Sequence, residues 1–352
     1  MRVLQEEETI RNKVILHKND EKILALLCSN VRLPLSKIAN VLRLSRQSTE
    51  YRIKVMEKHH LLAGSRAVIN IKELGYHSYH FFLMLQDSKS EKELVFRCKQ
   101  SSMVNTLINY SGKWNYELSI MAKETEDALK HFLNTIDGLK VIDYVPTILL
   151  RTIKSTVLPG LESKKLPSLK YIRNDPSFAK QFLLSRQEYR VDNKDKEILY
   201  LLSQNCQLTL SEIGKKIKLT NDAVAYRIKK LVRGNYIIGF RPVVDYAALG
   251  KSIESILIKI HNRTPEVDEK MSQYAQSNKR IVWATALFST WDYLVYFLHE
   301  NQEEIHEFVK ELKDGFSEYL ISYEILFAYR EYKYSYMTEE IRNSKQEVIN
   351  RP

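Results

Sequence analysis

Aromatic and basic side chains occur at the same spacing in two parts of the chain. The first block reads Tyr51-Arg52-Ile53-Lys54, and the second reads Tyr226-Arg227-Ile228-Lys229, 175 residues later. At about 100 degrees per residue, a helix that turns the isoleucine of either block toward a core leaves the tyrosine and lysine exposed. Ammonium groups beside an exposed aromatic ring are suited to contact with phosphates and bases, and they perform no bond-breaking reaction on their own.

These blocks belong to a long internal repeat. Residues 20–75 align without a gap to residues 195–250, and 20 of these 56 positions are identical. The likeness continues more loosely to Trp114-Asn115-Tyr116 and Trp291-Asp292-Tyr293, now at an offset of 177 residues. The sequence therefore predicts two copies of one structural unit.

Length, composition and charge limit the class of protein. The chain has 352 residues, 44% hydrophobic content and a formal net charge of +11, which together indicate a globular protein of two or three domains with a polyanionic partner. The three cysteines (Cys28, Cys98 and Cys206) are far apart, so neither a disulfide framework nor a cysteine-based zinc site is expected.

No signal peptide is evident, because Glu6, Glu7 and Glu8 stand where an apolar core is needed. No apolar run reaches the roughly 18 residues of a membrane span, so we expect a soluble, cytoplasmic protein with no membrane partner.

The first part of each copy predicts three short helices followed by a strand pair. Ser45 and Thr220 are placed to cap the third helix, because their hydroxyls can accept hydrogen bonds from its first free N–H groups. Residues 61–70 and 236–245 are predicted as β-hairpin wings, each with an arginine (Arg66 and Arg241) two residues after a glycine. The pattern favours a winged helix-turn-helix in each copy, with a generic helical bundle as the alternative.

The second part of each copy alternates strands and helices. The predicted elements are strands at 78–86, 104–110, 114–122 and 141–152 with helices at 91–100 and 124–135 in the first copy, and strands at 255–260, 281–288, 293–299 and 319–329 in the second. This βαββαβ order is typical of a ferredoxin-like sheet with both helices on one face. The sheet of the other copy is the expected cover for the opposite face, which makes the fold class α+β.

Charge is distributed unevenly over the predicted domains. These domains are an N-terminal arm (1–18), winged helix-turn-helix 1 (19–75), sheet domain 1 (76–153), a basic linker with a helix at 176–190 (154–191), winged helix-turn-helix 2 (192–250), sheet domain 2 (251–332) and a frayed tail (333–352). The two winged helices carry net charges of +5 and +4 and the linker carries +5, whereas the sheet domains carry 0 and −5. The basic excess thus lies mainly in the linker and in the two winged helix-turn-helix domains, called the heads below. This distribution favours nucleic acid over a membrane surface as the partner.

Three features together resemble the Lrp/AsnC family of leucine-responsive, or feast/famine, transcription regulators. They are the Tyr-Arg-Ile-Lys block, the segment running to Leu74-Gly75 or Leu249-Gly250, and the Trp-Asn/Asp-Tyr step. In that family one unit is one chain and dimers form through the sheet (RAM) domains, so the joined units here are similar to tandem forms in archaea. The resemblance implies a sequence-specific regulator of transcription that binds double-stranded DNA and associates with itself, and whose sheet domain can bind a small effector such as an amino acid. It implies neither enzyme activity nor a cofactor or metal.

The third helix of each copy divides into two kinds of predicted DNA contact. Residues at its N-terminal end reach base edges in a helix-turn-helix, and these are Arg46, Gln47, Ser48, Asn221 and Asp222. For Asp222 the alternative is a favourable interaction with the positive end of the helix dipole. Later basic residues are expected to meet phosphates, with a solvated helix face as the alternative, and these are Lys54, Lys58, Lys229, Lys230 and Arg233. Tyr51 and Tyr226 lie on the same exposed face and are also predicted to contact DNA.

Four further arginines are candidate contacts. Arg52 and Arg227 either bond to phosphate or brace the third helix against its neighbours, and Arg66 and Arg241 are expected to reach a minor groove or the DNA backbone. The two third helices differ at nearly every exposed position. The chain is therefore predicted to read an asymmetric DNA site rather than a palindrome.

The resemblance places an effector site at the loop between the second and third sheet strands. The corresponding residues are Gly112, Trp114, Asn115, Trp291 and Asp292. Neither loop matches the family pattern of a glycine followed by an acidic residue, because the first copy has Asn115 and the second has Ser289 in place of the glycine. The alternative is that both tryptophans are core and interface anchors.

The sequence offers little support for an enzyme. It contains no P-loop, GxGxxG, GxSxG or HExxH motif. His77 and His80 lie three residues apart on a predicted strand, so their rings point to opposite faces and cannot share a metal. Two alternatives stay open: a sirohaem decarboxylase with an Lrp-like fold, which needs arginines and histidines in a cleft between the sheets, and an architectural DNA-binding protein without sequence preference.

Overall fold

The computed structural model describes residues 13–161 and 189–344. The first copy contains, in order, α1 (Lys18–Ser29), α2 (Leu35–Leu42), α3 (Arg46–Lys58), β1 (Leu62–Ile69), β2 (His77–Leu85), α4 (Ser88–Gln100), β3 (Val104–Ser111), β4 (Tyr116–Ala122), α5 (Thr125–Ile136) and β5 (Val141–Ser155).

The second copy repeats this order. Its elements are α6 (Asn193–Gln204), α7 (Leu210–Ile217), α8 (Asn221–Arg233), β6 (Ile237–Val244), β7 (Ser252–Ile260), α9 (Pro265–Ser277), β8 (Ile281–Phe288), β9 (Tyr293–His299), α10 (Gln302–Gly315), β10 (Leu320–Tyr334) and a final helix, α11 (Glu339–Asn343). The tandem α+β fold predicted from the repeat is confirmed. The linker helix predicted at 176–190 lies almost wholly outside the described residues.

Local sequence explains where α3 and α8, the two predicted recognition helices, begin. The Ser45 Oγ accepts a hydrogen bond from the Ser48 N–H of α3 at 3.0 Å, and the Thr220 Oγ1 accepts one from the Ala223 N–H of α8 at 3.3 Å. Each hydroxyl satisfies an amide that has no partner inside its own helix. Both predicted N-caps are therefore confirmed.

The two sheets close into one eight-stranded barrel. Strands β3-β4-β2-β5 belong to the first copy and β8-β9-β7-β10 to the second, and the antiparallel pairs β5–β8 and β10–β3 join the copies. Helices α4 and α5 cover the outer face of the first sheet, and α9 and α10 cover that of the second. The inner faces pack against each other, as predicted.

Two lysines on the long joining strands fasten each copy to the other. The Lys333 Nζ on β10 donates to the carbonyls of Cys98 and Ser101 at the end of α4, at 2.9 and 2.6 Å. The Lys154 Nζ on β5 likewise donates to the carbonyls of Ala275 and Asn278 at the end of α9, at 2.9 and 2.7 Å. A cation at a helix C-terminus satisfies carbonyls that lack intrahelical partners, so each copy caps a helix of the other.

The predicted β-hairpin wings are wrong. Each segment forms one strand, and β1 pairs with β6 antiparallel, with Arg66 opposite Arg241. A lone strand leaves its backbone N–H and C=O groups without partners, and here the equivalent strand of the other copy supplies them. The helical heads are therefore joined to each other as well as to the barrel.

The prediction that the tail frays after Lys333 is also wrong as far as Ser344. Strand β10 extends to Tyr334, and the side chains of Met337 and Ile341 are fully buried. Helix α11 packs on α6, where the Arg342 Nε lies 2.6 Å from the Glu197 Oε2. Two apolar residues four apart were the available sequence signal for this helix, but the five residues that flank Ile341 most closely in α11 and its cap are Thr338, Glu339, Glu340, Arg342 and Asn343, all polar.

A buried carboxylate links the two copies inside the barrel. Glu117 on β4 has no exposed surface, and its oxygens lie 2.7 Å from the His80 Nδ1 and accept hydrogen bonds from the hydroxyls of Tyr110 and Tyr296 at 2.7 and 2.8 Å. Tyr296 belongs to the second copy, as does Ser255, whose hydroxyl lies 3.1 Å from that of Tyr110. Burial favours a raised pKa for Glu117, but the hydrogen bonds from His80 and the two tyrosines hold this pKa below its usual value.

Replacing Glu117 by glutamine should lower the free energy of unfolding by about 3 kcal/mol, because a buried network loses its only anion. Urea unfolding at pH 7 measures the change. Glu318→Gln, at an exposed position, is the matched control and should leave the stability unchanged.

The wild type and Glu117→Gln also test whether Glu117 is ionised in the folded protein. Because the pKa of Glu117 is lower in the folded state than in the unfolded chain, where it is about 4.3, its ionised form stabilises the protein above that pH. This contribution is lost as the pH falls through the unfolded value toward the folded one. We expect the wild type to lose stability more steeply than Glu117→Gln in acid, and identical slopes would contradict an ionised Glu117.

Candidate nucleic-acid interface

Helices α3 and α8 each present a large aromatic side chain to solvent. Tyr51 is 69% exposed and Tyr226 is 59% exposed, at equivalent positions of the two copies. Apolar residues on the opposite face, among them Met56 on α3 and Val224 and Leu231 on α8, are buried against their own heads. A tyrosine is thus exposed at the same place in both copies, on the helix faces predicted to contact DNA, and that contact stays a prediction.

The arginines next to these tyrosines brace the recognition helices. The Arg52 guanidinium lies 2.7 Å from Asp20 on α1. In the second copy the Arg227 guanidinium lies 2.8 Å from Asp192 and 2.7 Å from Asp195 at the start of α6. Burial works against the charge of Arg227, but hydrogen bonds to the two carboxylates raise its pKa further above an already high value. Of the two roles predicted for Arg52 and Arg227, the contacts favour bracing.

The aspartates of this brace were missed in the sequence. The carboxylates of Asp20 and Asp195 also accept the backbone N–H groups of His17 and Asp192 at 3.0 Å, so each carboxylate joins the N-terminus of one helix to the side of another. The available signal was that Asp20 and Asp195 are identical at the start of the repeat.

The lysines of the two faces differ in their surroundings. The Lys54 Nζ on α3 lies 2.8 Å from the Glu50 Oε1, with both side chains exposed, whereas Ala225 occupies the position of Glu50 on α8. The Lys230 Nζ lies 4.7 Å from the ring centre of Tyr226 and 4.8 Å from that of Tyr189. The side chains of Lys58, Lys229 and Arg233 are exposed.

The predicted base-reading residues lie on the first turns of the two helices. Arg46, Gln47, Asn221 and Asp222 are exposed, and Ser48 is half-buried, with its N–H bonded to the Ser45 cap. These side chains share the exposed side of each head with Tyr51 and Tyr226. Their contact with base edges stays a prediction.

Arg66 and Arg241 lie elsewhere. The Arg66 Nη1 donates to the Tyr334 carbonyl at 2.7 Å, and the Arg241 guanidinium donates to the Ser155 hydroxyl and carbonyl at 2.8 and 3.2 Å. Each arginine thus joins the strand pair β1–β6 to the end of the other copy's long barrel strand. The groove contact predicted for them assumed a hairpin that does not form, so we leave both out of the interface.

The loops predicted to bind an effector are held by internal hydrogen bonds. The Asn115 Oδ1 accepts the Leu85 N–H at 3.0 Å, and the Asp292 Oδ2 accepts the Ile260 N–H at 2.9 Å. Gly112 has a positive φ of 152°, and the Cβ of any larger residue there would lie 3.5 Å from the Ile325 carbonyl oxygen of the second copy. Binding of an amino acid at these loops stays a prediction.

The tryptophans of these loops differ in burial. Trp114 is 2% exposed, and Trp291 is half-buried and packs against the core that the two copies share. This placement agrees with the alternative that the two tryptophans are anchors.

The described part of the chain contains neither a metal-ligand cluster nor a membrane-spanning helix. Within residues 13–161 and 189–344, no three His, Cys, Asp or Glu side chains are grouped to hold a metal ion. Among the helices of the same ranges, none is both long and apolar enough to cross a bilayer.

Comparisons with known proteins agree with the geometry of the heads. A protein-family model described as winged helix-turn-helix DNA-binding matches residues 16–62 and 191–238, once in each copy. An uncharacterized HTH-type transcriptional regulator of Pyrococcus furiosus is 37% identical over 79 residues, which are 22% of this chain and half the length of that relative. The HTH-type transcriptional regulator LrpA of Pyrococcus abyssi is 28% identical over 145 residues, which are 40% of this chain and all of that protein.

One solved structure shares the fold over nearly the whole chain. The siroheme decarboxylase NirDL superimposes with a TM-score of 0.61 and 13% identity, covering 92% of this chain and 96% of that chain, and it has also been solved with an iron-uroporphyrin III analogue. At this identity the likeness shows the fold alone. With a helix-turn-helix match in each copy and an Lrp regulator matched along its full length by 40% of this chain, the chain is similar to regulators of the Lrp/AsnC type, in a tandem two-unit form.

Proposed function

We propose that the chain is a transcription regulator that binds double-stranded DNA through α3 and α8. The observation that carries the proposal is the pair of equivalent helix faces on which Tyr51 and Tyr226 stay exposed beside lysines. Each face begins at a capped helix N-terminus, where a helix-turn-helix places its base-reading side chains. The net charges of the heads, +5 and +4, supply the attraction for phosphates.

The two heads are proposed to read different half-sites. The antiparallel pair β1–β6 relates the heads by an approximate twofold axis, which suits half-sites in inverted orientation. The side chains that face the bases differ, since Arg46-Gln47-Ser48 in the first head corresponds to Asn221-Asp222-Ala223 in the second. Arginine suits guanine, and glutamine or asparagine suits adenine, so one inverted sequence cannot satisfy both helices equally.

Phosphate binding is proposed to be stronger at the second head. Lys54 forms an ion pair with Glu50, four residues before it, whereas Lys229 has Ala225 at the corresponding position. A carboxylate near the DNA backbone repels phosphate and weakens the effect of the neighbouring lysine. The two recognition helices therefore differ in affinity as well as in sequence preference.

Self-association between chains is part of the proposal, together with a cytoplasmic location beside the DNA. Apolar side chains remain on the outside of the barrel, where Ile142, Phe288 and Ile321 are 59%, 68% and 58% exposed. Exposed apolar side chains that form a contiguous patch are typical of surfaces that bind other proteins. The barrel already joins two units inside one chain, so contacts through its outside would join whole chains.

Decarboxylation of sirohaem is the second candidate function. The whole-chain likeness to the siroheme decarboxylase NirDL favours it. Against it, Phe82, Tyr110, Leu257 and Tyr296 are buried between the two sheets, where a tetrapyrrole cleft was expected. Adding sirohaem to the purified protein should leave its absorption spectrum unchanged, and a spectral shift followed by release of carbon dioxide would favour the enzyme.

Selection of bound sequences from random double-stranded DNA should yield an asymmetric site with two unlike halves. The reason is the different first turns of α3 and α8. A perfect palindrome bound by both heads would contradict this proposal, and retention of all sequences equally would indicate an architectural DNA-binding protein.

Two substitutions separate base contacts from phosphate contacts. Gln47→Ala should cost about 1–3 kcal/mol on the selected site and relax the preference at one position. Lys229→Ala should weaken binding to all sequences alike. It should also reduce, by about 1, the slope of the logarithm of the binding constant against the logarithm of the salt concentration. Fluorescence anisotropy at several salt concentrations measures both quantities.

Lys54→Ala is the matched control for Lys229→Ala, because the two lysines are equivalent. It should weaken binding less, since Lys54 already pairs with Glu50. Equal effects of Gln47→Ala and Lys229→Ala on sequence preference would contradict the division of roles.

A further inference from the structure

A polar pocket of about 560 Å³ opens at the end of the first sheet domain, where α5 follows β4. The side chains that matter here are Met103, Lys123, Lys130, His131, Asn134 and Glu340. Met103 precedes β3 and Lys123 follows β4, so the pocket lies at the opposite end of this hairpin from the loop that contains Gly112. It is therefore separate from the loop sites considered above.

The equivalent place in the second copy is occupied by the protein's own charges. The Arg280 guanidinium lies 2.7 Å from Glu307 and 2.8 Å from Glu311, both on α10. Beside them the Lys251 Nζ lies 2.8 Å from Glu300. Arg280 thus pairs with two glutamates in the middle and second half of α10, and Lys251 pairs with a glutamate that precedes this helix.

The first copy reverses this pattern at matched positions. Strands β3 and β4 and the start of α5 correspond to β8, β9 and the start of α10 at a constant offset of 177 residues. Met103 occupies the position of Arg280, so the first copy lacks this cation. The positions of Glu300, Glu307 and Glu311 are occupied in the first copy by Lys123, Lys130 and Asn134. Two ammonium groups and an amide therefore replace three carboxylates.

The remaining lining groups narrow the choice of ligand. The Lys123 Nζ lies 5.8 Å from the ring centre of Tyr76, and the His131 Nε2 lies 2.7 Å from the Ser101 hydroxyl. Burial lowers the pKa of His131, so the lysines supply the positive charge near neutral pH. Asp127 and Glu340 also line the pocket, and their carboxylates can accept hydrogen bonds from hydroxyl or amino groups.

We propose that this pocket binds a small anionic metabolite through its carboxylate or phosphate group, in the place that Arg280 and its glutamate partners fill in the second copy. Lys123 and Lys130 hold the anionic group, and Asn134 offers an amide donor. Asp127 and Glu340 receive donor groups on the rest of the ligand. The anionic group thus binds beside ammonium groups at positions where the second copy has carboxylates paired with Arg280 and Lys251.

The pocket also contacts the segment that holds the second head. Ser344 lines the pocket, and the Lys196 Nζ on α6 donates to both its carbonyl and its hydroxyl at 2.8 Å. The Glu340 N–H donates to the Ser102 carbonyl of the first sheet domain, while Arg342 pairs with Glu197 on α6. A ligand that contacts Glu340 therefore touches the link between the first barrel sheet and the second DNA-binding head.

A graft of the second copy's residues tests the site. The triple variant Met103→Arg, Lys130→Glu and Asn134→Glu recreates the internal ion pairs of Arg280 and should fill the pocket while the protein stays folded. Inorganic phosphate and succinate serve as probes, each titrated by calorimetry and by the shift in thermal unfolding temperature. We expect the wild type to bind at least one probe at least tenfold more tightly than the graft, and the probe that binds identifies the anionic group.

Controls separate loss of the site from loss of charge or of folding. Lys310→Glu, on an exposed position of α10, makes a similar change in net charge and should bind like the wild type. Lys130→Glu alone should also lose at least tenfold in affinity. Equal binding by the wild type and the graft would overturn the proposal, and so would the absence of binding of both probes to the wild type at about 20 mM.

Regulation of the second head rests on the proposed DNA-binding function and is measured separately. The bound probe should change the affinity of the wild type for its selected DNA site several-fold and leave that of the graft unchanged. Probe binding without any effect on DNA affinity would overturn the regulatory link, while the anion-binding site itself would still be supported. Failure to bind DNA at all would contradict the proposed function without touching the calorimetric result.

Discussion

The outer strands of each four-stranded sheet have backbone N–H and C=O groups that nothing in the same copy can pair. The strand pairs β5–β8 and β10–β3 supply those partners and close the barrel. Closure removes the exposed edges that make open sheets prone to aggregate, and it buries both inner faces. The lysine caps from Lys154 and Lys333, and the positions of both heads relative to the barrel, all depend on this pairing between copies.

The polar groups inside the barrel constrain how the copies meet. Glu117, His80 and Tyr110 come from one copy and Tyr296 and Ser255 from the other. A displaced arrangement of the two sheets would leave a carboxylate in an apolar interior without its donors, which costs several kcal/mol. Apolar packing accounts for most of the burial, and this network makes one arrangement of the two copies much more stable than the others.

Covalent joining of the copies allows them to differ. In a homodimer every substitution occurs twice, whereas here each copy can change alone. The recognition helices differ in their first turns and at Glu50, and at the ends of the two sheet domains Lys123 and Lys130 occupy the positions of Glu300 and Glu307. The asymmetric DNA site and the anion pocket that we propose both follow from this freedom.

Much of the fold was predictable from local patterns in the sequence. The caps Ser45 and Thr220, the helices of the heads and the βαββαβ order are confirmed, because each depends on neighbours along the chain and on repeated apolar spacing. The exposed faces containing Tyr51 and Tyr226 were predictable for the same reason. Comparing the copies at a fixed offset strengthened every one of these predictions.

What the sequence by itself determined was therefore the repeat, the elements and the faces that they expose. Only the tertiary structure decided which strands pair between copies, since β1 and β6 are equally able to fold back as hairpins on local preference alone. It also decided that Arg66 and Arg241 join the strand pair to the barrel and that α11 packs on α6. The physical reason is that backbone pairing and ion pairing between distant segments depend on their separation in space, which spacing along the chain does not record.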